Sequence, residues 1–430
     1  MLRLTCESFK SSANNNLSGE LPAELGLLEA VMHFSVFGNE ITGNFPESLQ
    51  EWTELKLMAV ESNKMTGSLP SWMGAWTEME YLALGANDFS GSLPDNVFNN
   101  MPGLVEVSLH DNEFTGSFDK FNENTALDTL LMQRNSFSGE IQEDTFENVP
   151  LRVLDMNHNQ ISGQIPYDFY DIQYVAIHSN KISGPLPAPQ GVHRIKFLSL
   201  YDNQMTGDLP DNLGALEYLV YLDLSQNRLA GTIPESISSC TRLRYLYLGD
   251  NEFSGGFEDL ASLGFLTRLQ ELSLRNMGLT GPIPDFVGDQ LTSLVFLDLR
   301  KNELTDAVPV NFQNLQNMQF MLLSNNMLMG DVPNELATLS NLRILALDNN
   351  SFTSGGDVGD LCGDNGPTGL DWFTTDNSIT CDCCTDQCTP GAADCGGSNL
   401  WSPNLDYGYE RLRFSFNGQL IFDVNTRNDV

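Results

Sequence analysis

LVYLDLSQNRLAGTIP, residues Leu219 to Pro234, holds in sixteen positions a unit that the chain repeats from end to end. Leu219, Leu222 and Leu224 read as the inward side of a short strand, Asn227 as a turn, and Leu229 as a second inward residue. Gly231, Ile233 and Pro234 then lead the chain away. One such coil cannot bury its own apolar edge, so the motif requires a stack.

The turn asparagine marks the stack at Asn15, Asn39, Asn63, Asn87, Asn112, Asn135, Asn159, Asn180, Asn203, Asn227, Asn251, Asn302, Asn326 and Asn350. The single gap is filled by Met277, inside LQELSLRNMGLTGPIP. Fifteen coils result, and (350 − 15)/14 gives a period of about 24 residues. In each coil from Asn39 onward the residues eight, five and three places before the marker are apolar, as with Leu55, Met58 and Val60, or Leu127, Leu130 and Met132. Stacked coils then form one long parallel sheet with a core behind it and an open face in front. An asparagine amide has donors and an acceptor for the backbone of a tight turn. Met277 has neither, so an irregularity or a bridging water is expected there.

The form LxxLxLxxNxLxGxIPxxLxxL, with Gly19, Gly43, Gly67, Gly91, Gly163, Gly207, Gly231 and Gly281 each followed three residues later by Pro, resembles the plant-type leucine-rich repeats. Such repeats occur in the ectodomains of receptor-like kinases and receptor-like proteins and in polygalacturonase-inhibiting proteins. The resemblance spans residues 15 to 360 and implies an α/β solenoid, a right-handed horseshoe with a concave parallel sheet. We divide the chain into a truncated N-terminal cap (1–14), the array (15–360), a cysteine-rich C-terminal cap (361–395) and a tail (396–430).

The chain carries 57 acidic against 21 basic residues, a net charge of −36, which argues against nucleic acid or an anionic membrane surface as partner. The sequence contains no apolar run of the roughly 18 to 20 residues that cross a membrane. MLRLTCESFKSSANNN lacks the pattern of a secretory signal. Cys6 stands where the family closes a paired-cysteine N-terminal cap, and we expect the natural start to lie upstream of Met1, with the signal or anchor there.

Cys362, Cys381, Cys383, Cys384, Cys388 and Cys395 crowd after the last coil, where a solenoid must cover its final layer. A disulfide cap fits an extracellular or cell-surface setting, with pairing left open among 15 connectivities. CDCCTDQC does not have the paired C-x-x-C spacing of a zinc site and no histidine lies near, so no metal is expected. Cys240 reads as a small buried side chain. Asn16 and Asn349 begin N-x-S/T sequons and become glycosylation candidates in a secreted protein. In the tail, Leu412 and Phe414 alternate, as do Leu420 and Phe422, around Asn417 and Gly418. A three-residue loop from Phe416 to Gly418 would put both pairs on one face. The hairpin either closes over the cap or opens a second domain.

No G-x-S-x-G, H-E-x-x-H, P-loop or kinase set occurs, and neither enzymatic activity nor a cofactor is expected. The open face of the sheet is richer. Six residues before the markers stand Tyr174, Phe197, Tyr221, Tyr245, Phe296 and Phe320, interrupted by Glu271. Beside them lie His110, Asp155, His158, His178, Tyr201, Asp223, Tyr247, Arg275, Asp298 and Arg300. Aromatics and arginines on a rigid sheet are what interfaces favour. Aromatics in this column also pack sideways on one another, whereas Tyr201 and Tyr247 are expected to face fully outward. We take Tyr174, His178, Phe197, Tyr201, Tyr221, Asp223, Tyr245, Tyr247, Arg275, Phe296, Asp298 and Arg300 as the candidate ligand-binding set. His33, His110, His158 and His178 share the face but come from coils too far apart to form one metal site.

The leading expectation is an extracellular recognition module for a protein, peptide or glycan ligand, as in a receptor-like ectodomain in signalling or defence, with room for a co-receptor. The alternatives are a soluble inhibitor of secreted cell-wall-degrading hydrolases, against which speaks the lack of a dense cationic cluster, and a structural matrix protein.

Overall fold

The computed structural model describes residues 15–353 except 29 and 192, and then 358, 361, 367, 370–376, 379, 384, 386–388, 413–414 and 420–421. Each coil from Asn39 to Asn350 gives one strand to a parallel sheet, beginning at His33–Ser35 and passing through Tyr221–Asp223 to Ile344–Ala346. The strand expected before Asn15 lies outside the described residues. A second parallel sheet of ten strands, from Ser18–Glu20 to Arg228–Ala230, runs beside the first.

The core is the expected ladder. Leu219, Leu222, Leu224 and Leu229 are all buried, as are their counterparts in every neighbouring coil. Truncating one such leucine to alanine costs about 2–5 kcal/mol, because neighbouring coils cannot collapse into the gap.

The asparagines stitch coil to coil. Asn227 Nδ2 donates to the carbonyls of Leu224 and Ser225 in its own coil, each at 3.1 Å, and of Leu200 in the preceding one at 3.0 Å. Its Oδ1 accepts from the Met205 amide of the preceding coil at 3.0 Å. The residue before the asparagine is left-handed in coil after coil without being glycine: His158 has φ 50°, Gln226 54° and Lys301 59°. Such backbone is strained for an L residue. The amide bonds offset that strain.

Past the turn, Gly231 has φ +71°, and a Cβ there would come within 2.5 Å of Asp208 Oδ1. Pro234 then opens a 3-10 turn, Glu235–Ser239, at φ −68°, and its carbonyl accepts from the Ile237 amide at 3.1 Å. Proline suits this place because its φ is fixed near −65° and its missing N–H is not needed. The outer side is built mostly of such 3-10 turns. The α part of the α/β description reduces, among the described residues, to Phe286–Gln290.

At Met277 the irregularity is real. The ten-stranded outer sheet ends at Arg228–Ala230 and resumes as the pair Thr280–Pro282 and Glu303–Thr305. Between them runs the longest 3-10 segment, Phe257–Phe265. Asn302 Oδ1 takes both the Met277 and the Leu279 amides, at 3.0 and 3.1 Å.

The sequence ends the array at residue 360, but the parallel sheet runs on through Trp372–Asp376 and Asp386–Cys388, within the cysteine-rich cap. Phe373 joins the core at 1 % exposure, and the Asp376 carboxylate accepts the amides of Asn349 and Asn350, where another coil's carbonyls would otherwise stand. Cys384 packs against the end of the core and is disulfide-bonded. Cys362, Cys381, Cys383 and Cys395 lie outside the described residues, and of Cys388 only the backbone is described. In the tail Arg413–Phe414 pairs antiparallel with Leu420–Ile421, Phe414 opposite Leu420, while the loop expected from Phe416 to Gly418 lies outside the described residues.

Candidate functional site

Successive strands bring side chains six residues before each marker into one file on the open face. Tyr174 stacks on Phe197 with ring centroids 4.3 Å apart, and Phe197 on Tyr221 at 4.2 Å. Tyr245 follows, tilted, at 5.8 Å from Tyr221, and farther along Phe296 and Phe320 stand 6.3 Å apart. The strand spacing of about 4.8 Å is close to the stacking distance of aromatic rings, so the column packs with little adjustment. Glu271 interrupts it and accepts a short hydrogen bond from the Tyr247 hydroxyl of the neighbouring coil.

The parallel file two residues before the markers carries His178 and Tyr201, stacked at 4.2 Å, with His158 edge-on to His178 at 5.1 Å. Between the files lies a floor of Asp155, Ala176, Ser199 and Asp223. The candidate side chains therefore face one surface, yet they do not stand free. Tyr201 is only 8 % exposed and Tyr247 3 %, which corrects the expectation of two fully outward tyrosines. Of the twelve candidate residues Arg275 alone is half-buried, and the other eleven are buried. The physical reason is spacing: strands about 4.8 Å apart bring neighbouring rings face to face, so each ring covers the next and part of the floor.

That cover changes the chemistry beneath it. Asp223 accepts from the Ser225 hydroxyl at 2.6 Å, the Ser225 amide at 3.0 Å and the Tyr221 hydroxyl at 3.2 Å, while burial pushes its carboxyl up to about 7. Asp155 is likewise pushed up by burial to about 7. Asp298 is different: Arg300 Nε and Nη2 reach it at 2.9 and 2.7 Å, and both side chains are 1 % exposed. Burial holds the His178 imidazole down at about 3, aided by His158 and Arg134.

A second cluster escapes the reading of the sequence. His110 Nε2 reaches Glu61 at 2.6 Å, two coils back, and its Nδ1 meets Asp111 at 2.9 Å. The reach is possible because the coil between has Gly85, where a Cβ would come within 2.5 Å of the His110 ring. Burial works against the imidazolium, but the two carboxylates outweigh it and raise His110 to about 9. Glu106 beside them is raised to about 7 by burial and by the charges of Glu61 and Asp128. Gly85, which with Gly249 is one of two glycines in that outward column, was the one signal available.

Of the sequons, Asn16 is exposed, while Asn349 is half-buried with its amide donating to Asn325 Oδ1 at 2.7 Å. Cys240 is buried, and burial pushes its thiol up to about 12. No helix among the described residues is long and apolar enough to cross a membrane.

The Leucine Rich Repeat family pattern matches residues 150–172, 218–240 and 293–315. No curated protein matches the sequence. Among solved structures, the PEPR1-AtPEP1 complex is similar at 25 % identity with a TM-score of 0.70, over 84 % of this chain and 57 % of that one. A TDR receptor matches at 25 % identity and TM-score 0.70, over 88 % of this chain and 71 % of that one. The Arabidopsis receptor kinase HAESA, in complex with the peptide hormone IDA and the co-receptor SERK1, matches at 28 % identity and TM-score 0.66, over 80 % and 66 %. The chain thus spans a little over half the length of the first of these. With its asparagine ladder and its two parallel sheets, the chain has a leucine-rich-repeat solenoid fold similar to that of these receptor structures.

Proposed function

We propose that the chain is the sensing part of an extracellular, receptor-like ectodomain and that it binds a peptide along the concave sheet. The observation that carries this reading is the band of rings from Tyr174 to Tyr247, prepacked on a rigid sheet beside buried acids. Aromatic anchors that are already ordered lose little conformational entropy on binding, which is the condition for a hot spot. The two similar ectodomains bound to peptides support the same reading by analogy.

The test is a library of extended synthetic peptides presented to the full chain, with Val220→Trp, at a residue packed against the concave ring band, and Glu235→Trp on the outer 3-10 turn as paired variants. Retained folding with at least tenfold weaker binding for the concave variant, about 1.4 kcal/mol, supports the proposal. Equal binding by both variants sinks it. Slowing of a secreted hydrolase without peptide binding would move the chain to the inhibitor class.

A further inference from the structure

Three coils present an aspartate at the same concave position, four residues before the marker, with a different neighbour two residues on. Asp298 is followed by Arg300, whose guanidinium satisfies it inside the chain at 2.7 and 2.9 Å. Asp223 is followed by Ser225, a neutral donor. Asp155 is followed by Asn157, and its described hydrogen bonds come only from the Asn157 amide and side chain, both to Oδ1, at 3.2 and 2.6 Å.

Asp155 is 3 % exposed and makes no ion pair among the described residues. The nearest cations of the chain, His110 and Arg134, favour the Asp155 carboxylate by their charge without forming an ion pair with it; His110 pairs with Glu61 and Asp111, and Arg134 lies 3.9 Å from Asp111. On the preceding coil, Gln133 Oε1 is a fully buried acceptor atom that no donor reaches. On the following coil stand the rings of Tyr174 and His178, and Ala176 leaves the floor low between them. Asp155 Oδ2 and Gln133 Oε1 accept no described hydrogen bond, and aromatic rings line one side. Such an environment is matched by a guanidinium, which offers donors in a planar fork and stacks on rings.

We infer that Asp155 is the anchor for an arginine side chain of the peptide ligand, which completes from outside the ion pair that Arg300 completes from inside at Asp298. This rests on the peptide-binding reading above, and it adds the ligand's chemistry. The same coil position also gives a direct way to occlude the anchor. Asn157→Arg places in cis, at the position of Arg300, the group that the ligand would bring.

The probe is a positional library of extended peptides in which one position is fixed as arginine or as citrulline, its uncharged isostere. Full-length wild type should retain arginine-fixed pools at least tenfold better than citrulline-fixed pools. Asp155→Asn and Asn157→Arg should each abolish that preference while the thermal midpoint stays within a few degrees of wild type. Because Asn157→Arg adds a partner where Asp155→Asn removes one, misfolding of one variant leaves the other as the test. Peptide binding with no arginine preference, or a preference that survives in a folded variant, overturns the anchor and leaves the peptide-binding reading standing. No binding of any pool by wild type overturns both.

Discussion

His110 and His178 occupy the same place in coils three apart, and the protein holds one charged and the other neutral. His110 lies against the carboxylates of Glu61 and Asp111 and is raised to about 9. His178 lies buried between the rings of His158 and Tyr201 and is held at about 3. The backbone is the same in both coils, so the difference comes from what the neighbouring coils place in the same file. A solenoid of this kind is a fixed grid, and each column is read locally. One end of the described concave sheet is a polar network, the middle a closed aromatic band.

The contrast is tested most strongly by removing a ring. Tyr221→Ala takes away a buried ring stacked on Phe197 and tilted against Tyr245, and should cost about 4 kcal/mol in urea unfolding. Tyr81→Ala, in the same column but only half-buried in the polar region, should cost about 1 kcal/mol. Equal losses would dissolve the distinction between the regions.

The two histidines should give pH limbs of opposite sign. Folding lowers His178 from its usual 6.5 to about 3, so the folded chain gives up stability as pH falls below 6.5. His178→Phe, which keeps a ring against Tyr201, should gain about 3 kcal/mol on wild type between pH 7 and pH 4. Folding raises His110 from 6.5 to about 9, so its stabilisation is complete below pH 6.5 and lost as pH climbs through 9. The cost of His110→Gln should therefore shrink by about 3 kcal/mol between pH 6 and pH 10. Parallel pH profiles for either variant and wild type would refute the corresponding assignment.

The sequence displays the stack because its signals are periodic: inward leucines, turn asparagines and the glycine and proline that follow them recur at one spacing. The break at Met277 was legible for the same reason, as a missing amide in a regular file. Three features were not legible. The left-handed residue before the marker is Asp or Asn in several coils, such as Asp111, Asp202 and Asn325, but Ser62, Gln226 or Lys301 in others, so no single residue type announces the positive φ. The strand Trp372–Asp376 has no LxxLxL pattern, and its place is set by pairing with Ile344–Ala346. The exposure of Tyr201 and Tyr247 depends on rings in adjacent coils, so direction could be read from the strand but freedom could not.

Gly85→Ala makes the smallest change and asks the sharpest question. The added methyl would stand within 2.5 Å of the His110 ring, which must then leave Glu61 or shift its coil. Losing one charge-assisted hydrogen bond costs about 1–2 kcal/mol near neutral pH. The more telling readout is the imidazole titration by NMR. With Glu61 out of reach, His110 keeps Asp111 alone, and its midpoint should fall from about 9 toward the ordinary value near 6.5. The variant would then behave at high pH as His110→Gln does, with the histidine still present. An unchanged midpoint would mean that Asp111 suffices to hold the charge and that the bridge across Gly85 adds nothing. A fallen midpoint would show that a glycine in the outward column decides the protonation state of a residue one coil away.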